Sequence, residues 1–540
     1  MPPPSRPASR HPAVSLHLVG FEVAMSDRGA ADFCIVGAGL SGALLAYRLG
    51  RAGARVLLLD SGPGYDQAAV VERFHRQKSR DLMDVWRLPD THPSPPDIDV
   101  AAPLPYPLSN IELKGFGGST LAWLGNALRM PPWDFELHSR HGLGRDWPLS
   151  YAELAPFYAD AEVELGVAGG ARGPFDERDG IAPPLPPFED TDVESRFRNA
   201  LDVLGVGHAP MPQARNPRAF GGRPRCADSA SCIPSCPTGA NYTALHHLAL
   251  ARDTGCVEVR ADCHVRRIRA EGRQAVTLQC WHRGSAVSLP VRQVVLCAHT
   301  VASTRLLLAS AGPDHPLGLG NASGVLGRYF MDHPTVVVDG RPAAPRGPHG
   351  FQRLVTADFC NRPERSRCGS YLVGYSFVPE FTWQNEAADP SDPEAYCYRA
   401  VANIDMLPQH GNRLSLSPDR VDRLGDPLPR LDFAFGDYER AGIHDAIAQL
   451  KRILAAMGLD RLSVYGPVFG FAPHPAGTIR MGRDPADSVV DPQLKMHELD
   501  NLHVVGSSVF PTMGPVNPSL TIAALALRLS AHLLDESVNR

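Results

Sequence analysis

Residues 32–60 read DFCIVGAGLSGALLAYRLGRAGARVLLLD. An apolar run, a glycine turn, a helical pattern and a second apolar run closing on an acid make one βαβ unit. Gly37 permits the tight turn, Gly39 lets backbone approach a pyrophosphate, and Gly42 lets the helix pack closely on the strand. Leu40 and Ser41 open the helix, whose N-terminus faces the phosphates. Asp60, with Ser61 behind it, stands where an acid binds ribose hydroxyls. A dinucleotide is therefore expected. The unit alone does not separate FAD from NAD, but its place near the start of a long chain leans toward a flavoprotein.

The rest of the composition narrows the class. With 540 residues, 44% hydrophobic and 21% charged, the chain is long enough for more than one domain. A formal net charge of −5, with no Lys/Arg-rich block, makes nucleic acid an unexpected partner. No apolar run approaches the roughly 18 residues of a membrane span, so no direct span is expected. Residues 1–30, rich in Pro, Ser, Arg and His, read as a disordered N-terminus or an over-long start ahead of Met25. Eleven cysteines without regular spacing do not suggest a disulfide framework, and no internal repeat is found.

Three further motifs follow in order. KGFGGSTLAWLGNALRM (114–130) is a second glycine turn ahead of small hydroxyl residues. HPAGTIRMG begins at His474, and DNLHVVGSSVFPTMGPVNPSLTIAALALRLS spans 500–530. The last piece reads as a strand, a glycine turn at Gly506, a polar loop, and a helix entered through Asn517, Pro518 and Ser519. VVLCAHTVASTRLLLAS (294–310) and LGRYFMDHP (326–334) lie between. This succession resembles the glucose-methanol-choline (GMC) oxidoreductases over most of the chain, although His299 and Thr304 stand where that family usually has Gly and Pro. The resemblance implies that Gly118, Ser119, Trp123, Gly125 and Asn126 line FAD, with Val265, Gly506, Asn517, Pro518 and Ser519 also at the cofactor. Some members attach FAD through a histidine in the second glycine loop. Ala122 occupies that position here, which implies non-covalent FAD.

The chemistry can be argued from the residues. Hydride transfer from an alcohol needs a base for the hydroxyl proton and a group that orients the carbon. An imidazole near its ordinary pKa of about 6.5 is substantially neutral at pH 7, which suits His474 to the first task. Asn517 offers both a donor and an acceptor for the second. His246 and His247 read as helix-surface or packing residues, and His333 as structural.

One loop is left over. GGRPRCADSASCIPSCPTGANY (221–242) spaces Cys226, Cys232 and Cys236 as C-x5-C-x3-C-P. A disulfide would leave one thiol unused, structural zinc lacks an obvious fourth ligand, and three buried free thiols are the plainest alternative. The C-x3-C-P tail matches the end of the ferredoxin run, and three ligands suggest a 3Fe-4S cluster. The loop resembles that of bacterial FAD-dependent sugar dehydrogenases, which implies such a cluster and a small subunit or cytochrome as electron acceptor. In those proteins a further cysteine follows the first ligand and ties to the small subunit; Ala227 stands there here.

The fold class expected is α/β: a Rossmann-like FAD-binding domain of GMC type with an interleaved α+β substrate domain built on an antiparallel sheet. The resemblance divides the chain into FAD-binding segments 30–135, 215–330 and 465–535, and substrate-binding segments 136–214 and 331–464. Pro-rich stretches at 89–107 and 183–187 mark loops, while SYLVGYSFVPEF and PRLDFAF are strand-like. The activity implied is a dehydrogenase oxidising an alcohol, a sugar or polyol, with electrons leaving through the cluster. A GMC-type alcohol oxidase using dioxygen, and a flavoprotein lyase on the same scaffold, are the alternatives. Localisation stays open between the cytoplasm and, for export with a partner subunit, the periplasm.

Overall fold

The computed structural model describes residues 31–64, 98–102, 104–106, 112–178, 180–228, 232–233, 235–341, 350–379, 396–469 and 472–538. The N-terminus to residue 30 and most of the Pro-rich stretch 89–107 lie outside them. Strand β1 (Phe33–Val36), helix α1 (Leu40–Arg51) and strand β2 (Val56–Leu59) form the βαβ unit read from the sequence. They sit in a five-stranded sheet in which every pairing is parallel, ordered 502–504, 294–296, β1, β2, 257–260. Such strands are covered on both faces and read as continuous apolar runs. FCIV, VLLL and VVL are nearly all buried.

Helix α1 carries Leu44, Leu45 and Leu49 into the core and packs against helices Ala244–Asp253 and Ser519–Val538. Its start is pressed against the turn that precedes it, for a Cβ on Gly42 would stand 1.9 Å from the Gly37 carbonyl oxygen. Gly37 itself has φ +106, a backbone angle that favours glycine.

The second layer is a five-stranded antiparallel sheet, ordered 350–351, 371–379, 396–404, 335–341, 461–468. Helix Asp437–Ala456 backs it, burying Ile443, Ala446, Leu450, Ile453 and Leu454 at helical spacing. Three smaller sheets are found among the described residues: an antiparallel one over 263–290, one that joins 413–421 and 427–432 to 99–101, and a two-stranded antiparallel pair of 209–210 with 354–355. The architecture is therefore a Rossmann-like parallel sheet with an α+β layer on an antiparallel sheet. PRLDFAF and the described part of SYLVGYSFVPEF supply strands, while 380–381 lie outside the described residues.

Two segment assignments differ from expectation. Strand Arg461–Val468 runs through the boundary placed at 465, because its full length pairs with 335–341. Helix Tyr151–Leu165, assigned to the substrate domain, buries Leu154, Tyr158 and Leu165 in the same core as the parallel sheet. The Tyr158 hydroxyl also meets Thr521 Oγ1 on the C-terminal helix at 2.7 Å.

Gly42→Val is expected to force α1 off the turn. Overpacking of this kind costs about 1–3 kcal/mol, so a thermal melt should show a lower Tm and purified protein should carry less flavin. An unchanged Tm with full flavin would contradict the packing argument.

Candidate active site

The carboxyl ends of the parallel strands open into a crevice, the usual ligand position in such sheets. Three turns meet there. The Gly37 N–H reaches the Leu59 carbonyl at 2.7 Å, Cys297 N–H the Val36 carbonyl at 2.8 Å, and Val505 N–H the Leu296 carbonyl at 3.0 Å, the last placing Gly506 beside Ala298. A Cβ on Gly39 would meet nothing within 4 Å, so open space lies over the start of α1. Neither Leu40 nor Ser41 puts an acid in that first turn, and no side chain caps it, which leaves the helix N-terminus available to an anion. A Cβ on Gly118, the residue before Ser119 in the second glycine turn, would stand 3.1 Å from the Gly39 Cα.

Asp60 is held between Ala38 N–H at 2.7 Å and Gly62 N–H at 2.8 Å, and burial pushes its carboxyl up to about 6. Ser61 follows Asp60 in the chain, directly ahead of Gly62. Val265 is buried on the strand that begins at Cys263, whose N–H reaches the Asp60 carbonyl at 2.8 Å. The buried Nδ1 of half-buried His299 has no partner among the described residues. An open helix start, a ring of glycine backbone and an acid at the end of β2 fit a dinucleotide. The sequence placed His299 and Thr304 as departures from the family pattern; Thr304 bonds Thr478 at 2.7 Å and so ties two of the motifs together.

His474 and Asn517 face each other at the front of the crevice, Asn517 Nδ2 lying 3.1 Å from His474 Nε2. Both are half-buried, whereas the groups behind them are fully enclosed. A bridge between Met331 and Ala476 sets the loop ending at His333 beside the loop beginning at His474. Asp332 clamps the two: its Oδ1 accepts the N–H of His333 and of His474, each at 2.7 Å, and its Oδ2 accepts the Tyr106 hydroxyl at 2.7 Å. Gly477 is required at the crossing, because a Cβ there would stand 2.3 Å from the Tyr329 carbonyl oxygen.

The hydrogen-bond chain behind His474 determines both imidazole tautomers. His333 Nε2 lies 2.7 Å from the Gly514 carbonyl, which can only accept, so that nitrogen carries the proton. In a neutral ring His333 Nδ1 is then an acceptor. His474 Nδ1, 2.8 Å away, must donate to it. The lone pair of His474 is left on Nε2, facing Asn517 Nδ2 as donor, and the Asn517 Oδ1 has no partner among the described residues. A proton acceptor thus stands beside an amide whose Nδ2 can donate to the oxygen of the same hydroxyl and whose free Oδ1 can accept from a second donor on the substrate.

Burial holds both rings neutral. It lowers His333 to about 4 and His474 well below the ordinary 6.5, with His333 adding to the second shift. The expectation of a near-ordinary pKa for His474 is thereby corrected. So is the reading of His333 as merely structural, since it sets the tautomer of the base. His246 and His247 are both buried, not on the surface; His247 bonds Tyr242 and Glu164. Only the DHP of the 326–334 motif pointed to His333, and nothing local pointed to Tyr106.

The second glycine loop continues into a different neighbourhood. Trp123 Nε1 donates to the Tyr242 carbonyl at 2.6 Å, and Asn241 Nδ2 donates to the Trp123 carbonyl at 2.7 Å. Gly125 O accepts the Ala214 N–H at 2.7 Å, and Asn126 gives its amide to Gln352 at 2.7 Å. The C-terminal helix begins at Ser519, directly after Pro518. The loop from Trp123 is thus tied to the strand-like pair 213–216 and 240–242, which carries the cysteines.

None of the three cysteines forms a disulfide. Cys232 and Cys236 are buried and Cys226 is half-buried. Each sulfur accepts an N–H: Cys226 from Asp228 at 3.4 Å, Cys232 from Arg215 Nη1 at 3.4 Å, Cys236 from Asn241 at 3.5 Å. Among the described residues the side chains close enough to share one ion are His264, Asp422 and Asp426, and not these thiols. Those two carboxylates already pair with Arg266 and Arg305. A single zinc is therefore a poor match for the cysteine loop. A cluster in which each thiolate takes its own iron allows wider spacing, and N–H bonds to the sulfurs are its usual surroundings.

Comparison with known proteins adds the following. Residues 408–526 match a family model described as GMC oxidoreductase, and residues 35–65 one described as NAD(P)-binding Rossmann-like domain. The chain is 32% identical to the fructose dehydrogenase large subunit of Gluconobacter japonicus, over 94% of this chain and 98% of that protein. It is 29% identical to 2-methyl-1,2-propanediol dehydrogenase of Mycolicibacterium austroafricanum, over 93% and 95%. Among solved structures, a formate oxidase superposes with a TM-score of 0.66 at 16% identity, covering 95% of this chain and 100% of that one. Pyridoxine 4-oxidase superposes at 0.61 with 19% identity, over 94% and 99%. At those identities the structural likeness speaks for the fold.

A lowered pKa keeps the base unprotonated to lower pH. Reduction of bound flavin by alcohol is therefore expected to hold from about pH 8 down to about 6.5 and to decline only below that; a stopped-flow pH profile with its acid midpoint above 7 would contradict the burial argument. Asp332→Ala strands three buried donors and is expected to cost about 2 kcal/mol or more in a denaturant melt, with slower turnover in the protein that folds.

Proposed function

The chain belongs to the GMC oxidoreductase family, and we propose that it is an FAD-dependent dehydrogenase oxidising the CH–OH group of a sugar or polyol. The observation that carries this reading is the lone pair of His474 Nε2 beside Asn517, reached through the chain from Gly514. The two relatives named as a fructose and a propanediol dehydrogenase support the substrate class.

In the proposed mechanism the substrate hydroxyl donates to His474 Nε2 and accepts nothing from that ring, so the proton has one destination. Asn517 Nδ2 donates to the oxygen of the same hydroxyl while its Oδ1 accepts from a neighbouring hydroxyl of the sugar or polyol, fixing the carbon that loses hydride. As the hydroxyl proton moves to Nε2, the carbon is left electron-rich enough to release hydride. The new positive charge is shared toward His333 through the Nδ1 contact, and Gly514 holds the outer end of the pair. Bound over α1 and the second glycine turn, non-covalent FAD supplies the hydride acceptor. Residues Gly37 to Gly42, Asp60, Gly118 and Ser119 would hold it, with Gly506 and the helix start at Pro518 and Ser519 nearby.

We divide the chain accordingly. The parallel sheet with its helices, including 151–165, forms the FAD-binding part, and the antiparallel sheet to residue 468 roofs the substrate pocket. Cys226, Cys232 and Cys236 hold an iron–sulfur cluster of the 3Fe-4S type on this reading, by which electrons leave singly to a partner subunit or cytochrome. Three sulfurs that each accept an N–H support it. With Ala227 in place of a cysteine, such a subunit would associate without a disulfide.

His474→Ala is expected to keep FAD and to lose about 100-fold or more in the rate at which a sugar or polyol bleaches the flavin. Unchanged bleaching would remove the base assignment. Iron and acid-labile sulfide should accompany flavin in protein purified without oxygen. Flavin without iron, together with peroxide released in air, would make the enzyme an oxidase.

A further inference from the structure

Two arginines flank the cysteine loop as buried cations. Arg215 is 4% exposed and Arg223 is 7% exposed. Arg215 Nη1 donates to Cys232 Sγ at 3.4 Å, Nη2 donates to Gln213 Oε1 at 2.8 Å, and the guanidinium lies over the Phe188 ring at 4.6 Å. Its Nε has no partner among the described residues. Arg223 reaches the carbonyls of Ala214 and Ala240 at 3.3 and 3.0 Å, with its own Nε likewise unmatched.

Among the described residues neither forms an ion pair with a carboxylate. Asp228, whose charge reaches Arg215, is held instead by Arg353 at 2.6 Å. A guanidinium does not shed its proton in a protein, and a charge taken out of water without a counter-charge is strongly disfavoured. Asp228 lies within the loop, but one carboxylate shared with Arg353 cannot offset Arg215 and Arg223 as well, so the loop is short of negative charge. Three neutral thiols would not supply it. Three thiolates ligating iron would, and the resulting centre is anionic.

Resting on the cluster reading above, we infer that Arg215 is the counter-cation of the cysteine loop and raises the reduction potential of the centre held there. The step is a one-electron reduction: the electron comes from flavin reduced by the alcohol, no bond breaks, and no proton is needed from Arg215. It adds one negative charge within reach of a fixed cation in a low-dielectric setting, so the reduced form gains more from Arg215 than the oxidised form. The position of the cation is set from the flavin side. Gln213, which takes Nη2, bridges Asn126 of the second glycine loop.

The test compares wild type with Arg215→Gln, which removes the charge, and Gln213→Glu, which sets a competing carboxylate against the same guanidinium. Each is purified as whole protein without oxygen, assayed for FAD and iron, and titrated against redox dyes with paramagnetic resonance as the readout. Both variants are expected to show a midpoint potential more negative than wild type at matched FAD content. Loss of iron from both, with FAD retained and wild type loaded, would equally support a counter-cation that the anionic centre needs. Where Arg215→Gln fails to fold, Gln213→Glu decides alone. A loaded variant with the wild-type potential overturns the inference and leaves the cluster standing. Wild type without iron overturns the cluster reading, and this inference with it.

Discussion

A single buried carboxylate organises the reactive end of this molecule. Asp332 accepts from the backbones of His333 and His474, two residues separated by most of the antiparallel layer, and from the Tyr106 hydroxyl. Burial raises its own pKa to about 6, so the three donors are what keep the carboxylate there tolerable. With the loops clamped, the rings of His333 and His474 stand edge to face with centroids 4.9 Å apart. The carbonyl of Gly514, from a third loop, then dictates which nitrogen of each ring is protonated. The arrangement trades base strength for availability. An imidazole whose pKa burial lowers is a weaker base, but it stays unprotonated to lower pH than an exposed one, and proximity supplies the rate that basicity does not.

The parts of this design that were legible in the sequence are those that act locally. A strand, a glycine turn and an amphipathic helix within thirty residues declare themselves by spacing, and so do the HPAGT turn and the Asn-Pro helix start. What was not legible is what depends on pairing over long separations. His333 reads as one more histidine in a loop until the Met331–Ala476 bridge sets it against His474. Helix 151–165 carries no mark of which layer it joins, since its buried face would serve either, and Tyr158 meets Thr521 across more than three hundred residues. Proton positions on imidazoles are a further step removed, because they follow from the partners of partners.

The cysteine loop illustrates the same limit from the side of charge. Its spacing admitted free thiols, zinc or iron, and the letters alone could not choose. In the stretch QARNPRAFGGRPRC the arginines look like ordinary surface residues. Only burial turns Arg215 and Arg223 into an argument, because a cation enclosed by carbonyls, an aromatic ring and sulfur asks what anion it faces. That question is independent of any likeness to other proteins, and it discriminates between thiols and thiolates where spacing does not.

The second glycine loop and the end of the cysteine loop are also built as one hydrogen-bonded unit. The Trp123 carbonyl binds the Asn241 side chain, whose backbone N–H reaches Cys236 Sγ; Gly125 binds Ala214, and Ala214 binds Tyr242. The glycine loop and the Cys236 end of the cysteine loop therefore cannot move independently without breaking buried hydrogen bonds, each of which leaves an unsatisfied group at a cost of about 1–3 kcal/mol. Electron transfer between fixed centres needs little nuclear rearrangement, and a ladder of buried bonds is how a protein keeps the distance constant. A loop tied in this way is poorly suited to be a lid or a docking arm, which gives a structural reason for reading it as a conduit.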